Sequence, residues 1–323
     1  MYPTAGATIR GDINIKVEEA ASADKHYIGT RVMPPVPVDL KSGTYPKLEI
    51  AGAELMSAGS TIRTRSGSYG EVSRKWTTDT YDCIDRGLEE PVDDTDVRDM
   101  RRFFNLEMTA ARLCLRNMQL DHEDRVATAI FNATTFGAGT NSAVAYTEAN
   151  IATISFVADV MAAIERLADN GQQADTIIIP SPVFNRVRRA TPTVNFVTGS
   201  VSPGRGVTAE TLAAAFADHG IRQVLIGRAR KNTAKKGQAK SISQVWANTY
   251  IWVGAVNASA GSVEGVTAGG AGFTLYWNQD GGLYTSETYR NEGRRSNMVR
   301  VRQNTAEKVV DATAGTLITT QYS

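Results

Sequence analysis

The sequence predicts an α+β fold in which a long helix connects an extended N-terminal region to a mixed α/β region. Three observations lead to this class. Neither glycine nor proline occurs between Val92 and Phe136, as expected of a single long helix. The residues before this stretch are polar and interrupted by prolines, and the residues after it alternate between short helical and strand patterns.

Residues 1–45 are predicted to form an extended arm. They are polar and interrupted by prolines, and the apolar Ile13 and Ile15 alternate with polar neighbours. A segment of this composition has few apolar side chains with which to build a core of its own.

Residues 46–90 are predicted to form a long β-hairpin loop. Leu48 and Ile50 alternate with polar residues on the outgoing side, turn residues fill 66–70, and Trp76 lies on the returning side. An isolated two-stranded ribbon is only marginally stable in water. We therefore expect the arm and the ribbon to lie on another copy of the chain. The alternative is a flexible tail with a surface hairpin.

The long helix is predicted to begin after Pro91, where Asp94 or Thr95 can cap its first turn, and to end at Gly137. Apolar side chains recur along it every three or four residues and predict one buried stripe. The stripe consists of Val97, Met100, Phe104, Met108, Ala111, Leu115, Met118, His122, Val126 and Ile130. Arg112, Arg116 and Glu123 fall outside it. Such a helix would run roughly 50 to 60 Å, a length that suits a spine to which other elements attach.

The second half is predicted to be a mixed α/β unit. Its helices are expected from about 157 to Asn170, at 182–189 and at 208–216, and its strands at 176–179, 223–226 and 250–256. The segment 261–272 is rich in glycine and predicts a loop. Two or three further strands are expected between 297 and 320.

Composition limits the classes of function. The chain has 323 residues and a net charge of +1. A net charge this small argues against a protein whose main role is to bind nucleic acid. Its basic clusters, near 186–189, 231–240 and 290–302, are interpreted as solvated faces or intersubunit contacts. Cys83 and Cys114 are the only cysteines and predict a reducing compartment. With no leader-like segment or membrane-length apolar run in the sequence, we expect the protein in the cytosol or in a particle assembled there.

The sequence offers no convincing catalytic or metal site, and we expect no cofactor. The three histidines, His26, His122 and His219, are far apart and lack a metal-binding spacing. His122 falls on the apolar stripe and is interpreted as a packed side chain. The acidic run from Asp93 to Asp99 is explained by the preference of helix N-termini for negative charge.

The order of these parts resembles the major capsid proteins of tailed bacteriophages, with the Hong Kong 97-like capsid fold. The likeness rests on the order of the arm, the ribbon, the long helix, the α/β unit and the final strands. The segment Gly-Leu-Glu-Glu-Pro-Val-Asp-Asp at 87–94, between the ribbon and the helix, is part of it. Local strings support it: Asp175-Thr-Ile-Ile-Ile-Pro180 before Val183-Phe184-Asn185, and Val224-Leu225-Ile226-Gly227-Arg228 before Val245-Trp246. These strings resemble the axial domain of that family.

The resemblance implies a division of the chain into five parts. Residues 1–45 would be the N-terminal arm, 46–90 the extended β-hairpin loop, and 91–148 the peripheral domain with its spine helix. Residues 149–285 would be the axial domain. Residues 286–323 would lead back to the peripheral domain and add its final strands. Intersubunit contacts are expected at basic and aromatic side chains of the loop and of the helix start, namely Arg63, Arg65, Tyr69, Arg74, Lys75, Trp76, Arg98 and Arg102.

The function implied is that of a capsid protein, not an enzyme. It would assemble with itself into hexamers and pentamers of an icosahedral shell, in the host cytoplasm, and enclose double-stranded DNA with weak, non-specific contact and no membrane. A separate scaffolding protein is an expected partner, because the sequence lacks a long helical, charge-rich N-terminal extension to act as a built-in scaffold. The resemblance also implies a portal and allows a decoration protein. Two alternatives remain: an encapsulin-type nanocompartment shell, and an enzyme built on the α/β half.

Overall fold

A computed structural model describes residues 8–9, 11–23, 26–48, 62–63, 65, 67–69, 76–100, 105–199, 206–235, 237–257 and 269–322. Within these residues the helices are α1 (Gly11–Ala23), α2 (Gly29–Val32), α3 (Asp94–Met100), α4 (Leu106–Ile130), α5 (Ala133–Phe136), α6 (Phe156–Asp169), α7 (Ser181–Val187), α8 (Thr191–Thr198) and α9 (Ala209–Ala215).

The strands fall into two larger sheets and two hairpins. They are β1 (Thr8–Ile9), β2 (Pro35–Val38), β3 (Ser42–Leu48), β4 (Trp76–Asp82), β5 (Ile84–Asp93), β6 (Ala138–Asn141), β7 (Thr176–Pro180), β8 (Gln223–Gly227), β9 (Arg230–Asn232), β10 (Ile242–Gln244), β11 (Tyr250–Gly254), β12 (Gly272–Trp277), β13 (Thr285–Asn291), β14 (Ser296–Val309) and β15 (Gly315–Thr319).

The first sheet is built around β14. This strand pairs antiparallel with β5 along one edge, from Ser296↔Asp93 to Thr305↔Ile84. Its other edge pairs with β13 and then with β12, and β1 and β2 extend the sheet outward. The first sheet therefore joins strands from residues 8–93 to strands from residues 272–309.

The second sheet has the order β6-β15-β11-β7-β8 and is covered on both faces. On one face, Ile177, Ile179 and Val253 pack against α6 to α9. On the other face, Ile178, Trp252 and Leu317 pack against α2 and the end of α4. A sheet buried on both faces needs apolar residues at successive positions, which explains the uninterrupted Ile177-Ile178-Ile179.

The predicted long helix is divided. Asn105 has an extended backbone, with φ −85° and ψ 108°, and its side-chain oxygen accepts the N–H of Met108, so a new helix begins at Leu106. Val92 belongs to a strand, and α4 ends at Ile130. The continuous helix predicted from Val92 to Phe136 is therefore wrong at both ends, and α4 spans about 37 Å.

The buried face of α4 follows the predicted stripe from Ala111 to Ile130. Its first half packs on α1 and β14, and its last turns pack on the second sheet, so this helix connects the two cores. Met108 is only partly buried and Met100 is exposed. Phe104 lies outside the described residues. Glu123, predicted to lie outside the stripe, is fully buried.

The N-terminal residues differ from the extended arm predicted for them. Residues 11–23 form α1, whose Ile13 and Val17 are buried one turn apart against α4. Val32 joins the core of the second sheet, and Val36 lies in β2, which pairs parallel with β12. The arm therefore packs on its own chain over these residues.

The predicted ribbon is present at its base, where β3 pairs with β4 from Ser42↔Asp82 to Leu48↔Trp76. It begins at Ser42, four residues before position 46, where the hairpin loop was expected to start. Ile50, expected on the outgoing side, lies outside the described residues. In the second half, the predicted α6, β7, α7, α9, β8 and β11 are confirmed within a few residues. The sequence reading missed α8, the β9–β10 hairpin, β12 and β13.

Candidate functional site

The tip of the ribbon presents exposed basic and aromatic side chains. Nε of Arg63 donates a hydrogen bond of 2.6 Å to the backbone oxygen of Gly67, and its guanidinium carbon lies 4.9 Å from the ring centre of Tyr69. Tyr69 remains 70% exposed and Ile62 84% exposed. Two large apolar or aromatic side chains at this exposure form a surface suited to contact with another molecule.

The structure brings together only some of the predicted contact residues. Arg63 and Tyr69 meet at the ribbon tip, where Arg65 is also exposed. Trp76 begins β4, and Arg98 is exposed on α3, a separate element. The remaining predicted positions, Arg74, Lys75 and Arg102, lie outside the described residues.

The base of the ribbon is anchored by two buried tyrosines. The hydroxyl of Tyr45 donates to Asp79 at 3.2 Å, and that of Tyr81 donates to the backbone oxygen of Leu40 at 3.1 Å. Burial, reinforced by Asp79, raises the pKa of Tyr45 above its usual range. Lys47 also contacts Asp79, at 3.3 Å. These contacts hold the two strands of the ribbon together. Both tyrosines also lie in one buried cluster with Phe273 and Leu275 of β12, which joins the base of the ribbon to the first sheet.

Ion pairs join β13, β14 and the start of α3. Arg290 binds both carboxylate oxygens of Asp94, at 2.6 and 2.7 Å, and these hydrogen bonds lower the pKa of Asp94. On the neighbouring strands, Glu287 accepts hydrogen bonds from Arg300 and Arg302. Burial opposes ionisation of Glu287, but the two arginines outweigh it and lower its pKa. The basic cluster at 290–302 is thus partly engaged within the chain.

A buried carboxylate on α4 joins three parts of the fold. Oε1 of Glu123 accepts the backbone N–H of Ile28 at 3.1 Å and the indole N–H of Trp246 at 2.6 Å. Oε2 accepts the backbone N–H of Gly29 at 2.5 Å. The carboxylate therefore satisfies free donors at the start of α2 and holds the loop after β10 against the helix.

Two glycines make room for this centre. A methyl group at Gly29 would lie 2.8 Å from Oε2 of Glu123, and one at Gly227 would lie 2.5 Å from the ring of Trp246. Both distances are shorter than van der Waals contact. Sequence reasoning missed this centre because an acidic residue on a helix is usually assigned to the solvent face.

His122 is a packed residue, as its position in the stripe predicted. The side chain is 2% exposed, and Nε2 lies 3.1 Å from the hydroxyl oxygen of Thr274 and 3.8 Å from Glu307. Burial lowers its pKa to about 4 even though Glu307 favours the charged form. Near neutral pH the imidazole is therefore uncharged.

A second buried carboxylate, Asp159, lies in the first turn of α6. Its Oδ2 accepts the hydroxyls of Ser142 and Tyr146, each at 2.7 Å, and Ser155 binds both of its oxygens. Burial raises the pKa of Tyr146 well above its usual range. All of Ser142, Tyr146 and Asp159 are less than 10% exposed, so this group of polar side chains fastens the start of α6 and offers no entry for a substrate.

A cavity of about 400 Å³ borders the Glu123 centre. His122 and Gln119 line it together with Tyr284. Gln119 donates to the backbone oxygen of Ala21, and Glu123 is already engaged by three N–H groups. Gln119, His122 and Glu123 are thus committed to the fold.

Among the described residues, no group of three or more His, Cys, Asp or Glu side chains could hold a metal ion. The same part of the chain contains no helix with the length and apolar character required to cross a bilayer. The acidic residues at the start of α3 stabilise the beginning of that helix and do not form a metal site. Asp93 accepts the N–H of Thr95 at 2.7 Å.

No protein-family model and no curated protein matches the sequence. Solved structures do match over almost the whole chain. A phage-related protein from Bordetella bronchiseptica RB50 is 19% identical, with 98% of each chain covered and a TM-score of 0.72. The capsid of the cyanophage P-SCSP1u is 10% identical, with coverages of 100% and 90% and a TM-score of 0.54. A virus-like particle from Pyrococcus furiosus is 8% identical, with coverages of 95% and 97% and a TM-score of 0.52.

Proposed function

We propose that this chain, which has the Hong Kong 97-like capsid fold, is a major capsid protein that assembles into an icosahedral shell around double-stranded phage DNA. The observation that carries the proposal is the likeness of almost the entire chain to a phage-related protein and to the capsid of a cyanophage. A likeness restricted to the α/β half would have favoured an enzyme instead.

The ribbon supplies the physical basis for self-assembly. Its base is fixed by Tyr45 and Tyr81, while Ile62 and Tyr69 near its tip are exposed to solvent. Burying such side chains on a neighbouring copy would gain hydrophobic free energy that the single chain forgoes. We therefore assign intersubunit contacts to the tip and to the positions predicted with it, including Arg98 on α3.

The proposed division into parts follows the one expected from the sequence. The arm (1–45), the extended loop (46–90) and the peripheral domain (91–148 and 286–323) would form the perimeter of each capsomer. The axial domain (149–285) would surround its centre. Each contact between copies would be modest, and a closed shell gains stability because the same contact is repeated by symmetry.

The proposal makes the protein structural, with no catalytic role. Self-association into hexamers and pentamers would occur in the host cytoplasm, with a scaffolding protein and a portal, and the product would be the capsid of the virion. The burial of His122 and Asp159 and the full engagement of Glu123 support the absence of catalysis.

A nanocompartment shell is the alternative, because the Pyrococcus furiosus particle has the same fold. The contents of the particle distinguish the two. Co-expression with the phage's own packaging genes should give particles filled with DNA. Particles that instead enclose one protein species and exclude DNA would support the alternative.

The test of the proposal is assembly of the purified full-length chain, alone and with its scaffolding protein. Sedimentation velocity and negative-stain microscopy should show closed shells or rings of five and six copies. A chain that folds cooperatively yet stays monomeric under both conditions would contradict the proposed function.

A further inference from the structure

Charge is distributed very unevenly along this nearly neutral chain. Between Asp79 and Asp99 there are nine acidic residues and two arginines. Between Asp218 and Glu264 there is no acidic residue, and seven lysines or arginines occur. The net charge of +1 therefore conceals two segments of opposite sign, each carrying several charges.

The basic segment forms a hairpin that extends from the second sheet. β9 pairs with β10 from Asn232↔Ile242 to Arg230↔Gln244, and the intervening loop is largely exposed. Lys231 is tied to Asp124 of α4 at 2.6 Å, which fixes the base of the hairpin. Within the part of the chain that the structure describes, no acidic side chain pairs with Arg228, Arg230, Lys235 or Lys240, and all four are exposed.

The acidic segment lies along an open edge of the first sheet. β5 pairs with β14 on one side, and no described strand pairs with its other side. Asp82, Asp85, Asp96 and Asp99 on and beside this strand are exposed and have no basic partner among the described residues. An unpaired edge strand of ten residues is a ready site for association.

Both surfaces also expose large apolar side chains. Ile84 is 53% and Leu88 42% exposed on β5, and Ile242 is 56% exposed on β10. On β5, Ile84 and Leu88 point to the same side because they are four residues apart. Each surface thus combines unpaired charge of one sign with apolar area, which suits a specific docking surface.

We infer that the β9–β10 hairpin of one copy docks on the β5 edge of the next copy. This inference rests on the proposed self-assembly and identifies two surfaces that would mediate it. The surfaces differ from each other, so the contact is heterologous, and repeating it head to tail generates a ring. Opposite charges would also steer copies into register and prevent hairpin-to-hairpin contact.

Charge reversal tests the pairing. One variant carries Lys235→Glu with Lys240→Glu, and a second carries Asp82→Lys with Asp85→Lys. Each should raise the subunit concentration needed for half-assembly about tenfold or more, since attraction at the contact becomes repulsion. The four-substitution variant, with both surfaces reversed, should recover assembly. An equimolar mixture of the two double variants should recover rings of six copies, in which the variants can alternate so that every contact joins opposite charges. A ring of five copies cannot alternate and should not recover.

Matched controls reverse the same number of exposed charges elsewhere. Glu165→Lys with Asp169→Lys on α6, and Arg112→Glu with Arg116→Glu on α4, should assemble like the wild type. Thermal unfolding of every variant, followed by circular dichroism, should match the wild type because all eight side chains lie on the surface. The wild type should assemble less readily as salt concentration rises.

The outcomes distinguish the docking inference from the proposed function and from nucleic-acid binding by the hairpin. If the wild type assembles and both surface variants assemble equally well, the docking inference is wrong while the proposed function stands. Failure of the wild type itself to assemble contradicts both. If only the hairpin variant is affected, loses DNA binding in a mobility-shift titration and is not rescued by the reversed β5 edge, the hairpin binds nucleic acid and the inference is overturned.

Discussion

The indole nitrogen of Trp246 donates a 2.6 Å hydrogen bond to the carboxylate of Glu123, and both side chains are fully buried. The bond connects the middle of α4 to the loop that follows the β9–β10 hairpin. The same carboxylate holds the start of α2. One side chain thereby fixes the start of α2 and the loop after β10 relative to α4.

Replacement of Glu123 should destabilise the fold strongly. In Glu123→Ala, three buried N–H groups lose their acceptor, and at about 1 kcal/mol or more for each group the loss should reach roughly 3 kcal/mol. Glu123→Gln keeps one oxygen acceptor and should fall between this variant and the wild type. Urea unfolding measures both. Equal stability of Glu123→Ala and the exposed control Glu165→Ala would show that the centre contributes nothing.

Met118 should be intolerant of charge. It is 2% exposed on the buried face of α4, so Met118→Asp should cost roughly 3 to 5 kcal/mol because the carboxylate can neither hydrate nor pair. Met108 is less suitable for this test, since it is partly buried in the first turn of α4, where an acid is favoured. Arg112→Ala, on the exposed face, is the control and should be nearly neutral in chemical denaturation.

His122 should make the protein sensitive to mild acid. Its pKa is about 4 in the fold and about 6.5 in an unfolded chain, so the unfolded state binds more protons between these values. Stability is therefore fully present above pH 6.5 and is lost as pH falls toward 4, by about 3 kcal/mol in all.

The measurement is urea unfolding at pH 7 and pH 5, where the wild type should lose about 2 kcal/mol. In His122→Gln the side chain does not titrate, so the difference between the two pH values should shrink by about this amount. A wild type equally stable at both pH values would contradict this account of the buried imidazole.

Deletion of residues 63–74 should separate folding from assembly. The base of the ribbon is held by Tyr45 and Tyr81, and the second sheet makes no use of the deleted residues in its pairing. Circular dichroism should therefore remain close to that of the wild type while microscopy shows no shells. Loss of secondary structure throughout the chain would mean that the ribbon tip belongs to the core of the single subunit.

DNA binding by unassembled subunits should be weak and independent of sequence. The net charge is +1, and only a few basic side chains could neutralise phosphates at once, so moderate salt should abolish binding. A filter-binding titration with two unrelated duplexes checks this. Nanomolar affinity at physiological salt, or preference for one duplex, would point to a nucleic-acid-binding role.

The sequence was most informative where periodicity decides structure. The stripe from Ala111 to Ile130 and the helix capped by Thr208 are confirmed because spacing and a capping side chain are local properties. The break before α4 was missed because Asn105 caps a helix within a run that contains neither glycine nor proline. Absence of helix breakers permits a continuous helix without requiring one.

The candidate centres were harder to predict because they depend on distant residues. Glu123 and Ile28 are ninety-five positions apart, and no local spacing indicates that they meet. The same holds for α1, whose Ile13 and Val17 are too few to indicate a helix until α4 is there to bury them. β12 and β13 likewise become strands through their pairing with β14.

The positions of β14 and β15 have a consequence for synthesis. β14 lies between β5 on one side and β12 and β13 on the other, and β15 lies between β6 and β11. Each sheet therefore depends on an interior strand from residues 296–319. A nascent chain that has not reached these residues leaves β5 and β6 without their neighbours. Neither sheet can form completely until residues 296–319 have been synthesised, because pairing between such distant segments must wait for the later one. Truncated translation products would therefore lack the framework that presents the ribbon, and in the proposed assembly they would not be incorporated.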